Sequence, residues 1–364
     1  MKIVTIVGAR PQFIKAAAVS RVLKEKPDVE EVLVHTGQHY DDDMSEIFFR
    51  ELDIAAPKYN LEIGSGSHGR QTGRMLDRIE ELLLLEKPDW ILVYGDTNST
   101  LAGALAASKI HIPIAHVEAG LRSFNRRMPE EQNRVLTDHM ADLLFTPTAA
   151  ADHNLKREGI PLERIVNVGD VMYDAVLHAR AREHIRTNLL AAHGVREGEF
   201  VLATIHRAEN TDDPKRLVAI FDGLAKVALE LPVLLPLHPR TRAALKTHNR
   251  LSQAGQTLKL TEPLGYFDMV ALEVAAALVA TDSGGVQKEA YFAGTPCVTL
   301  RGETEWVELV ELGWNRVVMP TNAAAVATAI LSAMGGEGDR DARPYGSGDA
   351  ARRIVARLVD SEAQ

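Results

Sequence analysis

Between positions 275 and 300 the chain passes through an apolar run, a glycine turn, a helix-forming run and a second apolar run. Few folds accept that order. Residues 275–281 (AAALVAT) are small and apolar, as expected of a strand buried on both faces of a parallel sheet. Asp282-Ser283-Gly284-Gly285 turns the chain, 286–292 predicts a helix, Gly294 stops it, and 296–300 predicts the next strand. Two glycines at a strand-to-helix turn let a ligand approach the backbone. The amides of the helix's first turn then face an anion, which the helix dipole also favours. Glu289, one turn further on, is placed to accept hydrogen bonds from a ribose. The same turn also reads as a tight connection whose glycines serve only backbone geometry.

The alternation of strand and helix extends over the whole chain, which predicts an α/β protein with parallel sheets covered on both faces. Strands are expected at 2–7, 31–36, 90–94, 113–117, 143–146 and 165–168, then at 200–205, 233–237, 258–261, 275–281 and 296–300. Helices are expected at 12–24, 44–52, 71–86, 128–140, 149–157, 214–229, 241–249, 267–274, 307–312 and 323–334, with another opening after Gly95. At 364 residues the chain is too long for one typical core. The pattern suggests a first domain over 1–168 and a second over 169–349. Residues 335–349 have linker composition, and a terminal helix over 350–364 is expected to pack back onto the first domain.

A net charge of -9 argues against a broad nucleic-acid surface, although a few arginines in a cleft can still hold an anion. Cys297 is the only cysteine, so no intrachain disulfide or cysteine-rich zinc site can form, and its apolar setting reads as core. The start MKIVTIVG lacks the longer apolar core of a signal peptide, and no run approaches a membrane span. A soluble, cytoplasmic protein is the expectation.

Ligands of open α/β sheets bind beyond the carboxyl ends of the strands, and Arg10, Gln38, Asp96, Glu118, His206, His238 and Ser283 all stand there. Arg10, Lys15, Arg207 and the turn at Ser283-Gly284-Gly285 supply positive potential suited to a diphosphate. Asp96, Glu118 and Glu130 are three acids beside the same edge, and carboxylates held together raise one another's proton affinity. Asp96 competes for a second role as the cap of the helix that follows it. His206 and His238 read either as satisfied buried histidines or as phosphate donors and proton relays. No metal site is apparent, because the histidines lack ligand spacing and a cysteine cluster. The first turn, Gly8-Ala9-Arg10-Pro11, has one glycine and no dinucleotide fingerprint.

Taken together, these motifs resemble the non-hydrolysing UDP-N-acetylglucosamine 2-epimerases. The resemblance runs from Gly8-Ala9-Arg10-Pro11 through Thr36-Gly37-Gln38-His39, Gly95-Asp96-Thr97 and His116-Val117-Glu118-Ala119-Gly120-Leu121-Arg122. It continues through Pro129-Glu130-Glu131 to Thr281-Asp282-Ser283-Gly284-Gly285 with Glu289. It implies two Rossmann-like domains in a GT-B arrangement with the site in the cleft between them, a homodimer, no metal and no bound nicotinamide. By the same analogy Arg10, Arg134, Arg207, Ser283, Gly284, Gly285 and Glu289 bind the UDP part of a UDP-sugar. Asp96, Glu118 and Glu130 become the acid/base candidates, with His206 and Lys15 beside them as catalytic candidates. Gln38, His39, Arg70 and Gln71 match stretches that line an activating UDP-GlcNAc site in bacterial relatives.

The implied reaction inverts C2 of a UDP-2-acetamido sugar, UDP-GlcNAc to UDP-ManNAc, for polysaccharide precursors. Three segments depart from the common pattern: GARPQFIK at 8–15, the short 123–128 segment, and Thr304-Glu305-Trp306-Val307-Glu308. They look more like the branch acting on UDP-2,3-diacetamido-2,3-dideoxyglucuronate, whose C6 carboxylate Arg126 and Arg127 could meet. Those arginines read equally well as solvent-exposed loop residues. A GT-B glycosyltransferase, a nicotinamide-dependent enzyme and a non-catalytic UDP-sugar sensor are the rival readings.

Overall fold

A computed structural model describes residues 1–38, 52 and 54–360. The helix expected over 44–52, apart from its last residue, and the candidate His39 lie outside the described residues. The chain forms two compact units, Met1–Ala175 with Arg343–Gln364, and Val176–Ala342.

The first unit is built on a parallel sheet of β1 (Lys2–Val7), β2 (Glu30–His35), β3 (Tyr59–Asn60), β4 (Trp90–Tyr94), β5 (Ile114–Val117), β6 (Leu143–Thr146) and β7 (Ile165–Asn167). Its strand order is β3-β2-β1-β4-β5-β6-β7. The second unit holds β8 (Val201–Thr204), β9 (Val233–Pro236), β10 (Lys259–Thr261), β11 (Leu278–Thr281), β12 (Cys297–Thr299) and β13 (Asn315–Val317). Here the order is β10-β9-β8-β11-β12-β13, again parallel. Each sheet reverses its winding once, between β1 and β4 in the first and between β8 and β11 in the second. The crevice beyond such a switch point is where α/β sheets bind ligands.

The apolar spacing predicted for 71–86 is realised in the helix His68–Glu86. Met75, Ile79, Leu82 and Leu83 are buried on one side of it, packed with Val4, Ile6, Ile91 and Val93 of the sheet. The alanine-rich helix Asn98–Lys109 lies close to that sheet at Gly103, where a Cβ would stand 3.2 Å from Val93 and 3.3 Å from Ile6. In the second unit the helices Pro214–Val227 and Ala323–Ala333 cross so tightly that a Cβ on Gly223 would fall 2.6 Å from Val326. The terminal helix Ala350–Asp360 belongs to the first unit. It buries Ile354 and Leu358, and the Asp174 carboxylate accepts from the amides of Ala350 (3.1 Å) and Ala351 (2.9 Å).

The strand expected over 275–281 is shorter than its composition suggested. The helix Tyr266–Ala275 takes the first alanine, and extended structure begins only at Leu278. A run of three alanines carries no periodicity that separates a helix end from a strand start. β3 and β13, of two and three residues, were too short to show alternation. The helices Val171–Arg180 and Glu183–His193 were also unanticipated; the second ends at Gly194 in the left-handed region. Among the described residues no helix is long and apolar enough to cross a membrane.

Cys297 is buried in β12, and burial pushes its thiol up to about 12. The thiolate is the reactive form, so native protein should resist thiol reagents that label Cys297 fully in urea. Rapid labelling of the folded chain would contradict this placement.

Candidate active site

In the first unit, Gln12 ties the two turns at the switch point together. Its Oε1 accepts from the amides of Gly8 (2.8 Å) and Ala9 (3.0 Å). Its Nε2 donates to Tyr94 O (2.7 Å) and Thr100 Oγ1 (2.9 Å). The turn after β1 and the turn after β4 are thereby fixed side by side. Gly8 leaves room for the Thr36–Ser99 hydroxyl pair, since a Cβ there would fall 2.1 Å from Ser99 Oγ.

The acids stand on these turns. Thr97, not Asp96, caps the helix Asn98–Lys109, its Oγ1 accepting from the Thr100 amide (3.3 Å). Asp96 is therefore released from the capping role, and its carboxylate pairs with Arg134. Burial raises the Asp96 carboxyl above its ordinary range, Arg134 opposes the rise, and Glu118 adds to it. Glu118 follows β5 with φ of 71°, a left-handed conformation that costs a non-glycine residue about 1–3 kcal/mol and collects at functional sites. Its carboxylate forms a short ion pair with the buried Lys15 ammonium. A side chain at position 95 would crowd that pair: a Cβ on Gly95 lies 3.2 Å from Glu118 Oε2 and 3.5 Å from Lys15 Nζ. A pocket of about 200 Å³ opens here, lined by Lys15, Gln38, His68, Asp96, Asn98 and Glu130 among others.

Glu130 and Glu131, neighbours in sequence, separate in space. Glu130 is exposed at the pocket. Glu131 is buried and accepts from Ser123 N (2.8 Å), Ser123 Oγ (2.9 Å) and Phe124 N (2.9 Å), which ties down the loop before its helix.

In the second unit, the turn after β11 meets the turn after β8. Asp282 is wholly buried and accepts from His206 N (3.0 Å), Arg207 N (3.0 Å) and Asn210 Nδ2 (3.0 Å). Ser283 is the N-cap of the helix Gly284–Ala293, and its side chain makes no capping bond. Trp306 Nε1 donates to Gly284 O (2.8 Å), bracing the glycine turn from the other side. A Cβ on Gly284 would stand 2.8 Å from Glu305 Oε1, whereas one on Gly285 would approach nothing closer than 4.0 Å. Arg207 and Arg301 both reach Glu305, at 3.4 and 2.7 Å. The His206 and His238 rings lie 5.4 Å apart. His238 Nδ1 accepts from the Arg240 amide (3.1 Å), and burial and the neighbouring His206 and Arg240 lower its basicity. His238 is thus a neutral helix cap, and His206 is the histidine left on the turn.

A family model for UDP-N-acetylglucosamine 2-epimerase matches residues 21–359. The chain belongs to that family. A UDP-2,3-diacetamido-2,3-dideoxy-D-glucuronate 2-epimerase of Pseudomonas aeruginosa is 53% identical to it over 362 residues, 99% of each chain. A UDP-N-acetylglucosamine 2-epimerase homolog of Methanococcus maripaludis is 57% identical over 321 residues, 87% of this chain and 88% of the relative. The crystal structure of Methanocaldococcus jannaschii UDP-GlcNAc 2-epimerase, in complex with UDP-GlcNAc and UDP, is similar at a TM-score of 0.83 and 43% identity, over 99% of each chain. This epimerase family member is accordingly an isomerase with the two parallel sheets its motifs implied.

Within the epimerase, Lys15, Asp96, Glu118 and Glu130 gather in the first unit, with Arg134 bound to Asp96 and Arg10 exposed on the turn that opens its helix. His206, Arg207, Ser283, Gly284 and Gly285 gather in the second, and Glu289 follows on the same helix. Gln38 and Gln71 are held inside the first unit. Gln38 Oε1 accepts from Ser99 N (3.0 Å), and Gln71 bridges Gly64 O and Asn98 at 2.8 Å each. Arg70 is exposed. Arg126 and Arg127 are exposed and do not line the pocket at Asp96; Arg126 borders a separate hollow with Phe124 and Leu136. The supporting residues Arg301 and Asp138 were not singled out by sequence, and Glu305 was noted only within a departing segment; the contacts of Arg301 with Glu209 and of Asp138 with His116 join residues distant along the chain. Among the described residues, no group of three or more His, Cys, Asp or Glu is arranged to hold a metal ion.

Proposed function

We propose that the protein inverts C2 of a UDP-2-acetamido sugar, UDP-GlcNAc to UDP-ManNAc, by eliminating and re-adding UDP. The observation that carries this reading is the gathering of Asp96, Glu118, Lys15 and Glu130 at one switch point, with the Asp96 carboxyl raised by burial. C2 of the sugar is not adjacent to a carbonyl, so its proton is weakly acidic and leaves only as a good leaving group departs. A carboxylate takes that proton, the C2–H electrons become the C1–C2 double bond, and the C1–O pair leaves on the diphosphate. UDP then returns to C1 of the glycal as a proton is delivered to the opposite face of C2. The uncapped first turn at Ser283–Gly285, with Arg10 and Arg207, would stabilise the charge growing on the diphosphate, and Glu289 would hold the ribose.

Gly285→Ala separates a ligand cradle from a purely structural turn. The structure has room for the methyl group, so thermal stability should change by less than about 0.5 kcal/mol. UDP affinity measured by calorimetry should nevertheless fall at least tenfold. Unchanged affinity would return the glycines to backbone geometry.

A second reading concerns the sugar. The 53% identity to the Pseudomonas enzyme over 99% of both chains favours UDP-2,3-diacetamido-2,3-dideoxyglucuronate as the preferred substrate of the same chemistry. Incubating each UDP-sugar without any acceptor and analysing the products tests both readings together. A C2 epimer from either supports the epimerase, the faster one naming the substrate, while hydrolysis with no epimer would point to a glycosyltransferase lacking its acceptor. A homodimer in the cytoplasm belongs to the same proposal, and mass measurement in solution tests the dimer.

A further inference from the structure

His116 lies on β5, wholly buried, and is itself not one of the residues that line the pocket at Asp96. Both ring nitrogens are nonetheless committed. Nε2 is 2.7 Å from the Gly95 carbonyl oxygen, and Nδ1 is 2.7 Å from Asp138 Oδ1. A carbonyl oxygen can only accept, so Nε2 must carry a proton. Asp138 is also wholly buried; its Oδ2 accepts from Gly120 N (3.1 Å) and pairs with Arg122 Nη1 (2.7 Å). Burial alone would raise the Asp138 carboxyl; the Arg122 guanidinium and the Gly120 amide, both on Oδ2, favour its ionised form. An ionised carboxylate also only accepts, so Nδ1 carries a proton as well.

We infer that His116 is a buried imidazolium which, through Asp138, locks the Gly95-Asp96 turn and the 118–120 turn into one rigid piece, making it a positioning residue for the acids. The inference rests on Asp96 and Glu118 carrying the C2 proton chemistry. Charges alternate along the chain of contacts: His116 positive, Asp138 negative, Arg122 positive, and Glu158 negative in a two-pronged pair with Arg122 at 2.7 Å for each prong. His139 faces Glu158 at 3.5 Å from the solvent side. Such a fully satisfied network can be retained for the geometry it specifies rather than for net stability. There is geometry here to specify. Gly95, Glu118 and Gly120 have φ of 62°, 71° and 79°, three left-handed residues on the turns that aim the two carboxylates. The clamp grips the first turn at the Gly95 carbonyl and the second at the Gly120 amide. A neutral imidazole has one N–H and could hold Gly95 or Asp138, not both.

The direct test is nitrogen NMR of the full chain labelled in histidine. Each His116 ring nitrogen should carry a proton in the folded chain; a ring with a single proton overturns the inference, whatever the chemistry of the acids. The second arm uses His116→Gln, which keeps an N–H for Gly95 but carries no charge, and Asp138→Asn. Each should lower kcat at least tenfold, with the calorimetric Kd for UDP changed less than twofold, and the double variant should be little worse than either single one. Turnover near wild type in both overturns the positioning role. Intact turnover in Asp96→Asn and Glu118→Gln would instead overturn the acid assignment, while the NMR arm still decides the charge. That arm needs no substitution, so a variant that fails to fold does not block the decision.

Discussion

Asp96→Asn and Glu118→Gln are each expected to cut epimerisation by about 10²–10⁴-fold, the usual worth of a positioned acid or base, with UDP affinity held within a few-fold. The amides preserve shape but cannot exchange a proton, and they also remove the charge that faces Arg134 or Lys15, so unchanged UDP affinity is the control for misplacement of those cations. Asp96 is half-buried, with its carboxyl raised by burial and by Glu118 against the pull of Arg134. Glu118 is bound to Lys15 on a strained backbone. Glu130→Gln should also lose turnover, by less, because Glu130 is exposed at the rim of the pocket. Near-normal rates in all three, measured as initial epimer formation, would return these residues to structural roles.

Asp282→Ala should damage both stability and binding. Its buried carboxylate gathers the amides of His206 and Arg207 and the side chain of Asn210, so truncation takes the acceptor from two part-buried amides and one of the two acceptors from Asn210 Nδ2, which also reaches Leu300 O. An unsatisfied buried group costs about 1–3 kcal/mol, and loss of about 3 kcal/mol in a urea titration is expected. At a permissive temperature UDP affinity should fall as well, because the turns carrying Arg207 and Ser283 lose their common anchor. A variant as stable as wild type would show that Asp282 does not organise this turn.

The parts of the site that local sequence specifies were the parts legible beforehand. A glycine turn between an apolar run and a helix marked Ser283–Gly285, and strand ends marked Asp96, Glu118 and His206. Local pattern could not decide between neighbours: Thr97 rather than Asp96 caps its helix, and Glu131 rather than Glu130 turns inward. It also could not show what holds the turns, because the holding contacts are remote in sequence. Gln12 reaches Tyr94 and Thr100, His116 reaches Asp138, and Asp282 reaches back to His206. The arginine pair at 126–127, near Glu130 in sequence, is exposed and does not line the Asp96 pocket.

Proton NMR of UDP-GlcNAc and of its 2,3-diacetamido-glucuronate counterpart, each incubated with the protein in deuterated water, tests the central claim most directly. The epimerised product should carry deuterium at C2, and Asp96→Asn and Glu118→Gln should slow its appearance together with epimer formation. A C2 epimer that retains its original proton, or no change at C2 in either sugar, would contradict removal of the C2 proton to solvent-exchangeable acids.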